Sequence, residues 1–117
     1  MKRAYLCVNP KLKKEIKTIC SGLEKLGYSI HNDGIEKELD TEKIKKSDLF
    51  IFLANKHEIR TNIGLEIAIT FHINSSSKFK KPEIYVIGKY SYENIYSNPL
   101  IRKQETIKGL LKELSRN

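Results

Sequence analysis

The chain has 117 residues, enough for one domain with a single hydrophobic core and too few for two. Its 22 Lys and Arg against 14 Asp and Glu give a formal net charge of +8, and 39% of its residues are apolar. No apolar run approaches the roughly 18 residues of a membrane span, so a membrane-spanning protein is not expected.

The opening stretch Met1 to Val8 has a basic start, but its apolar part ends at Asn9-Pro10. That is too short for a signal peptide, and the expected location is the cytoplasm. Cys7 falls in a predicted strand and Cys20 on the apolar side of a predicted helix, so both read as small core residues rather than a disulfide pair. His31, His57 and His72 show no ligand spacing, and no metal or other cofactor is expected. The positive charge would attract nucleic acid, phosphates or acidic membranes. The lysines are dispersed, however, and only Phe79 interrupts their clusters. A base-stacking platform needs more aromatics than that, so a nucleic-acid partner is not expected. A phosphorylated small ligand suits the charge equally well.

In chain order, Arg3 to Val8 predicts a strand, followed by a helix start at which Asn9 can cap and Pro10 suits the first turn. Leu12, Ile16, Ile19, Cys20, Leu23 and Leu26 keep to one helical face. Gly27 is suited to end that helix. Tyr28-Ser29-Ile30 predicts a second strand, and Asn32-Asp33-Gly34 a turn. Asp40-Thr41 precedes a short helix through Ile44. Asp48 to Ala54 is almost continuously apolar, as expected of a central strand covered on both faces.

A helix over Thr61 to Ile73 follows, apolar on nearly every side, with Glu66 its one formal charge. Such a helix is normally buried, which predicts a poorly solvated carboxylate. A buried carboxylate is either paired structurally or used in chemistry. Ser75-Ser76-Ser77 and a basic loop lead to a strand over Ile84 to Gly88. Tyr90 to Pro99 reads as irregular, and Gln104 to Ser115 as a final amphipathic helix.

Strand and helix therefore alternate over 1–117 in one α/β domain. The expectation is a three-layer, flavodoxin-like arrangement: a mostly parallel sheet of four to five strands with helices on both faces. Ligands in such sheets bind beyond the carboxyl ends of the strands, where strand order reverses. Glu66, early in the helix after the third strand, falls at that edge. Neither a Gly-x-x-x-x-Gly-Lys-Ser/Thr loop, nor Gly-x-Gly-x-x-Gly, nor Gly-x-Ser-x-Gly occurs. ATP hydrolysis, dinucleotide redox chemistry and the serine-hydrolase elbow are correspondingly poor fits.

Three segments together resemble the nucleoside 2-deoxyribosyltransferase superfamily, most nearly its 2'-deoxynucleoside 5'-phosphate N-hydrolase branch. These are Tyr5-Leu6-Cys7-Val8-Asn9, the stretch from Asp40 to Ser47-Asp48-Leu49-Phe50-Ile51, and Asn62-Ile63-Gly64-Leu65-Glu66-Ile67-Ala68. The order of elements matches along nearly the whole chain. The resemblance implies cleavage or transfer at the N-glycosidic bond of a nucleoside or its 5'-phosphate. Glu66 would attack C1' of the sugar, and Asp40 would handle a proton on the leaving base or hold the site. Tyr5 would orient the nucleophile or contact the sugar. Asn9 and Asn62 would line the substrate site, and Gly64 would let the backbone approach the ligand. A homodimer or larger assembly is also implied.

The residues leave other readings open. Asp40 can be a plain helix cap, and Tyr5 an ordinary core tyrosine. Arg60 stands where the family carries Asp or Ser; its planar donors suit a phosphate, or it is a surface residue at a helix start. Val8 and Asn62 replace family glycines and would narrow the pocket, which is consistent with a catalytically silent nucleotide-binding protein. A TIR-like NAD glycohydrolase fits Ser47-Asp48-Leu49-Phe50-Ile51 and Glu66-Ile67-Ala68 as well. Gly64 and the lack of a tryptophan lead-in favour the deoxyribosyltransferase side.

Overall fold

The computed structural model describes residues 2–31, 39–53, 61–76, 78, 80–88 and 99–116, and the side chains of 61–63 lie outside that description. Five strands form one sheet: β1 (Lys2–Cys7), β2 (Tyr28–Ile30), β3 (Leu49–Leu53), β4 (Glu83–Ile87) and β5 (Ile101–Gln104). Their order is β2-β1-β3-β4-β5, and every neighbouring pair is parallel. The connections carry α1 (Lys13–Lys25), α2 (Thr41–Lys45) and α3 (Thr61–Asn74), and α4 (Ile107–Ser115) closes the described chain. This is the expected α/β architecture, with five strands.

The middle of the sheet is explained by side-chain alternation. All five residues of β3 are buried, because successive side chains point to opposite faces and both faces are covered. Ala4, Leu6, Leu49, Ile51, Tyr85 and Ile87 pack with Ile16, Ile19 and Leu23 of α1 and Leu110 and Leu114 of α4. Tyr5, Cys7, Phe50, Phe52, Ile84 and Val86 pack on the other face with Ile44 of α2 and Leu65 and Ala68 of α3. The rings of Tyr5 and Phe50 stack there, 5.8 Å apart and 6° from parallel. On the first face α1 and α4 come so close that a Cβ on Gly22 would collide with the Leu111 side chain. Gly27, at φ 90°, follows α1 as expected of a terminating glycine.

Two predicted boundaries shift. Helix α1 starts at Lys13, with Leu12 in the cap position and no side-chain cap. Asn9 instead folds back on the turn before it: its Oδ1 accepts from the Lys11 amide at 2.9 Å, and its carbonyl accepts from Leu12. An Asx turn of this kind competes with the helix cap for the same side chain. At the other end, Gln104 belongs to β5 rather than to the last helix, which begins at Ile107 under a Thr106 side-chain cap to the Gly109 amide. Strand β5 lacks an apolar run because it is an edge strand: only Ile101 is buried, while Arg102 and Lys103 are exposed. Charges on an edge discourage further pairing. The predicted turn at Asn32-Asp33-Gly34 and most of the irregular stretch from Tyr90 lie outside the described residues.

Candidate functional site

Strand order reverses between β1 and β3, so the crevice of such a sheet opens beyond Cys7 and Leu53. Helices α2 and α3 descend from that edge side by side. Among the described side-chain positions of α3, Gly64, Leu65 and Ala68 are buried, facing the sheet. Glu66, Thr70 and Ile73 fall on the opposite side and are exposed, Ile73 by 56%. The expected poor solvation of Glu66 is therefore corrected. The helix is apolar nearly all round, but it lies in an outer layer with only the five-residue α2 beside it among the described helices, so its outer stripe is uncovered.

Glu66 nevertheless lies in a concavity. It lines a cavity of ≈ 390 Å³ together with Thr41, Ile67, Thr70 and Phe71. Thr41 opens α2 directly after Asp40. Asp40 caps that helix, its Oδ1 accepting from the Lys43 amide at 3.1 Å. The Asp40 amide in turn donates to the Tyr5 hydroxyl oxygen at 3.2 Å. Tyr5 is thus a buried, stacked core residue whose polar end holds the Asp40 backbone. Three residues singled out in the sequence are gathered on this side of the sheet. Tyr5 and Asp40 touch, and Glu66 shares a cavity with the residue next to Asp40.

The remaining site residues are placed as follows. A Cβ on Gly64 would lie 3.0 Å from both Cys7 Sγ and Leu39 Cδ2, so the close approach this glycine serves is that of α3 to the end of β1. Asn9 sits at the carboxyl end of β1, half-buried, with its side chain on the turn. Arg60 and His57 lie outside the described residues, as does the side chain of Asn62.

Asp48, the aspartate of the TIR-like pattern, stands at the opposite, amino edge of the sheet. It accepts from the Arg3 amide at 2.8 Å and from Lys81 Nζ at 2.5 Å. Partial burial works against its ionisation, but the Lys81 and Arg3 hydrogen bonds and the charges of Lys81 and Lys2 outweigh it and hold the carboxyl below its ordinary value. That is a structural staple. His72 Nδ1 bonds the Pro82 carbonyl at 2.8 Å. Among the described residues no group of three or more His, Cys, Asp or Glu side chains could hold a metal ion, and no helix is long and apolar enough to cross a membrane.

The solved structure of Clostridium botulinum CMP N-glycosidase, BcmB, superposes on this chain with a TM-score of 0.69, over 99% of this chain and 100% of that one. The two share 19% of their residues. The fold is common to both. No protein-family model matches the sequence, and no curated protein matches it.

Several residues of the site were not singled out from the sequence. Thr41, Ile67, Thr70 and Phe71 form the cavity wall. Their signal was helical spacing: Thr70 lies one turn from Glu66, on the same stripe. His31 and Ser47 bind α2 from below, with His31 Nδ1 3.1 Å from the Lys43 carbonyl oxygen and Ser47 Oγ donating to the same oxygen at 2.6 Å. The Ser47 bond spans four residues, but the His31 contact spans 12 and left no local pattern to read. Chemically, the arrangement offers a carboxylate beside a largely apolar wall, and a second carboxylate held by the Lys43 amide, one residue from the cavity-lining Thr41.

Proposed function

We propose that the protein cleaves the N-glycosidic bond of a nucleoside 5'-monophosphate, by hydrolysis or by transfer of the sugar. Glu66 is the nucleophile. Its carboxylate attacks C1' as the bond to the base breaks, through an oxocarbenium-like transition state, and Asp40 handles the proton on the leaving base. Water or a second base then attacks C1', and the Glu66 carboxylate is released. The supporting observation is the shared cavity of Glu66 and Thr41, one residue from Asp40, on a fold common over nearly its full length to a CMP N-glycosidase.

A solvated carboxylate stabilises a developing positive charge weakly, because water screens it. The proposal therefore includes a homodimer or larger assembly, in which a second copy covers the outer stripe of α3 and excludes water from Glu66. The exposed Ile73 and the half-buried Ile67 and Phe71 are the surface to be covered. A nucleotide-binding protein without turnover is the second reading, and the exposure of Glu66 favours it.

Incubation with a panel of ribo- and deoxynucleoside monophosphates, the matching nucleosides and NAD, followed by chromatography for free base, separates these readings. Base release from a monophosphate supports the glycosidase. Thermal stabilisation by nucleotides with no base released supports the binding protein. Base release from NAD alone points to the TIR-like activity.

A further inference from the structure

The carboxylate assigned above to proton handling belongs to a helix too short to hold itself. An isolated five-residue helix is far below the length at which helices persist in water, and its end groups need partners from elsewhere. At its amino end, Asp40 supplies one partner and the Tyr5 hydroxyl anchors the Asp40 amide. At its carboxyl end, two side chains converge on a single backbone oxygen. The Lys43 carbonyl accepts from Ser47 Oγ at 2.6 Å and lies 3.1 Å from His31 Nδ1. A carbonyl oxygen can only accept, so Nδ1 carries the hydrogen. Ser47 Oγ, 3.3 Å from the same nitrogen, has already directed its proton to Lys43 and is left as a second acceptor for Nδ1–H.

Lys43 is the centre of this arrangement. Its amide donates to the Asp40 carboxylate, and its carbonyl is held by His31 and Ser47. His31 is in turn tied to the sheet, its own amide donating to the Ala4 carbonyl at 2.7 Å, one residue before Tyr5. Ser47 is 1% exposed, so its hydroxyl is buried with this carbonyl as its acceptor. Buried polar groups of this kind hold geometry rigidly when every hydrogen bond is made.

We infer that His31, seconded by Ser47, is the positioning residue of Asp40. It fixes the orientation of that carboxylate through the two ends of Lys43 and makes no contact with substrate itself. The inference rests on the glycosidase reading for what Asp40 does, and on the hydrogen bonds alone for what holds Asp40 in place.

The test compares His31→Ala with His31→Asn, whose carboxamide nitrogen can stand where Nδ1 stood. Two readouts are needed: steady-state base release, and hydrogen exchange at the Lys43 amide measured alongside global stability. His31→Ala should lower kcat by roughly tenfold to a hundredfold, the scale of a misplaced catalytic group, with KM within about twofold. It should also speed Lys43 exchange beyond any change in global stability. His31→Asn should recover most of both.

An unchanged kcat in His31→Ala, or no rescue by His31→Asn, overturns the inference. Should the wild-type protein release no base from any nucleotide, the glycosidase reading fails by itself. The Lys43 exchange then decides alone: faster in His31→Ala and restored in His31→Asn supports the clamp, and unaltered exchange removes it.

Discussion

The backbone amide of Asp40 donates to the phenolic oxygen of Tyr5 across 3.2 Å, although 35 positions separate them in the chain. The bond links the core stack of Tyr5 on Phe50 to the cap residue of the helix that borders the Glu66 cavity. Tyr5→Phe keeps the stack and removes the acceptor. A net loss of about 1 kcal/mol is expected from an unmade hydrogen bond of this type, read as a lower midpoint in urea unfolding. Under the proposed function kcat should fall as well, because Asp40 is then less well fixed.

Asp40 itself can be resolved into cap and catalyst. Asn caps a helix about as well as Asp, whereas Ala does not and typically costs ~1 kcal/mol. Asp40→Asn should therefore retain stability while base release collapses, and Asp40→Ala should lose both. Thermal unfolding and base-release assays on the two variants make the comparison. Full activity in Asp40→Asn would leave Asp40 as a cap alone.

Gly64→Ala sets two effects against each other. Alanine favours a helix over glycine by up to about 1 kcal/mol. The added methyl, however, would sit 3.0 Å from Cys7 Sγ and Leu39 Cδ2, and overpacking of that kind typically costs about 1–3 kcal/mol. Net destabilisation of about 1 kcal/mol is expected by chemical denaturation, increasing for Gly64→Val.

The staple at the amino edge gives a pH dependence whose sign follows from Asp48. Its carboxyl lies below the ordinary value in the folded protein, against partial burial, because Lys81, the Arg3 amide and Lys2 favour the charged form. The associated stability is fully present above the unfolded value, near 3.8. It is lost as pH falls from there through the folded value. Asp48→Asn should flatten that part of the acid unfolding curve. Lys81→Met should weaken it, leaving the Arg3 hydrogen bond.

The sheet was readable because its strands are local apolar runs: Leu49 to Leu53 and Ile84 to Ile87 announce themselves. Strand β5 was not, since an edge strand buries one residue in four and carries Arg102 and Lys103 outward. Of the candidate site, the three motif segments around Tyr5, Asp40 and Glu66 were legible, and the fold brings them to one side of the sheet. The solvation of Glu66 was not. Periodicity reports how apolar a helix is on each side, and α3 is apolar nearly all round, so nothing in it marks which side finds a cover within one chain. The pairing of His31 with Lys43 and Ser47 was hidden for a related reason: it joins residues 12 and 16 positions apart, through a backbone oxygen in one case and a serine hydroxyl in the other, and no motif encodes either.

The most direct measurement is base release from nucleoside monophosphates by the wild-type protein and by Glu66→Gln, side by side and at matched folded concentration. Glutamine preserves size and removes the nucleophilic charge. The wild type should liberate free base, and Glu66→Gln should be slower by at least about 100-fold, the scale on which a single transition-state group acts. Equal rates in the two proteins would contradict the assignment of Glu66, and no base from either, with both proteins folded, would contradict glycosidic cleavage altogether.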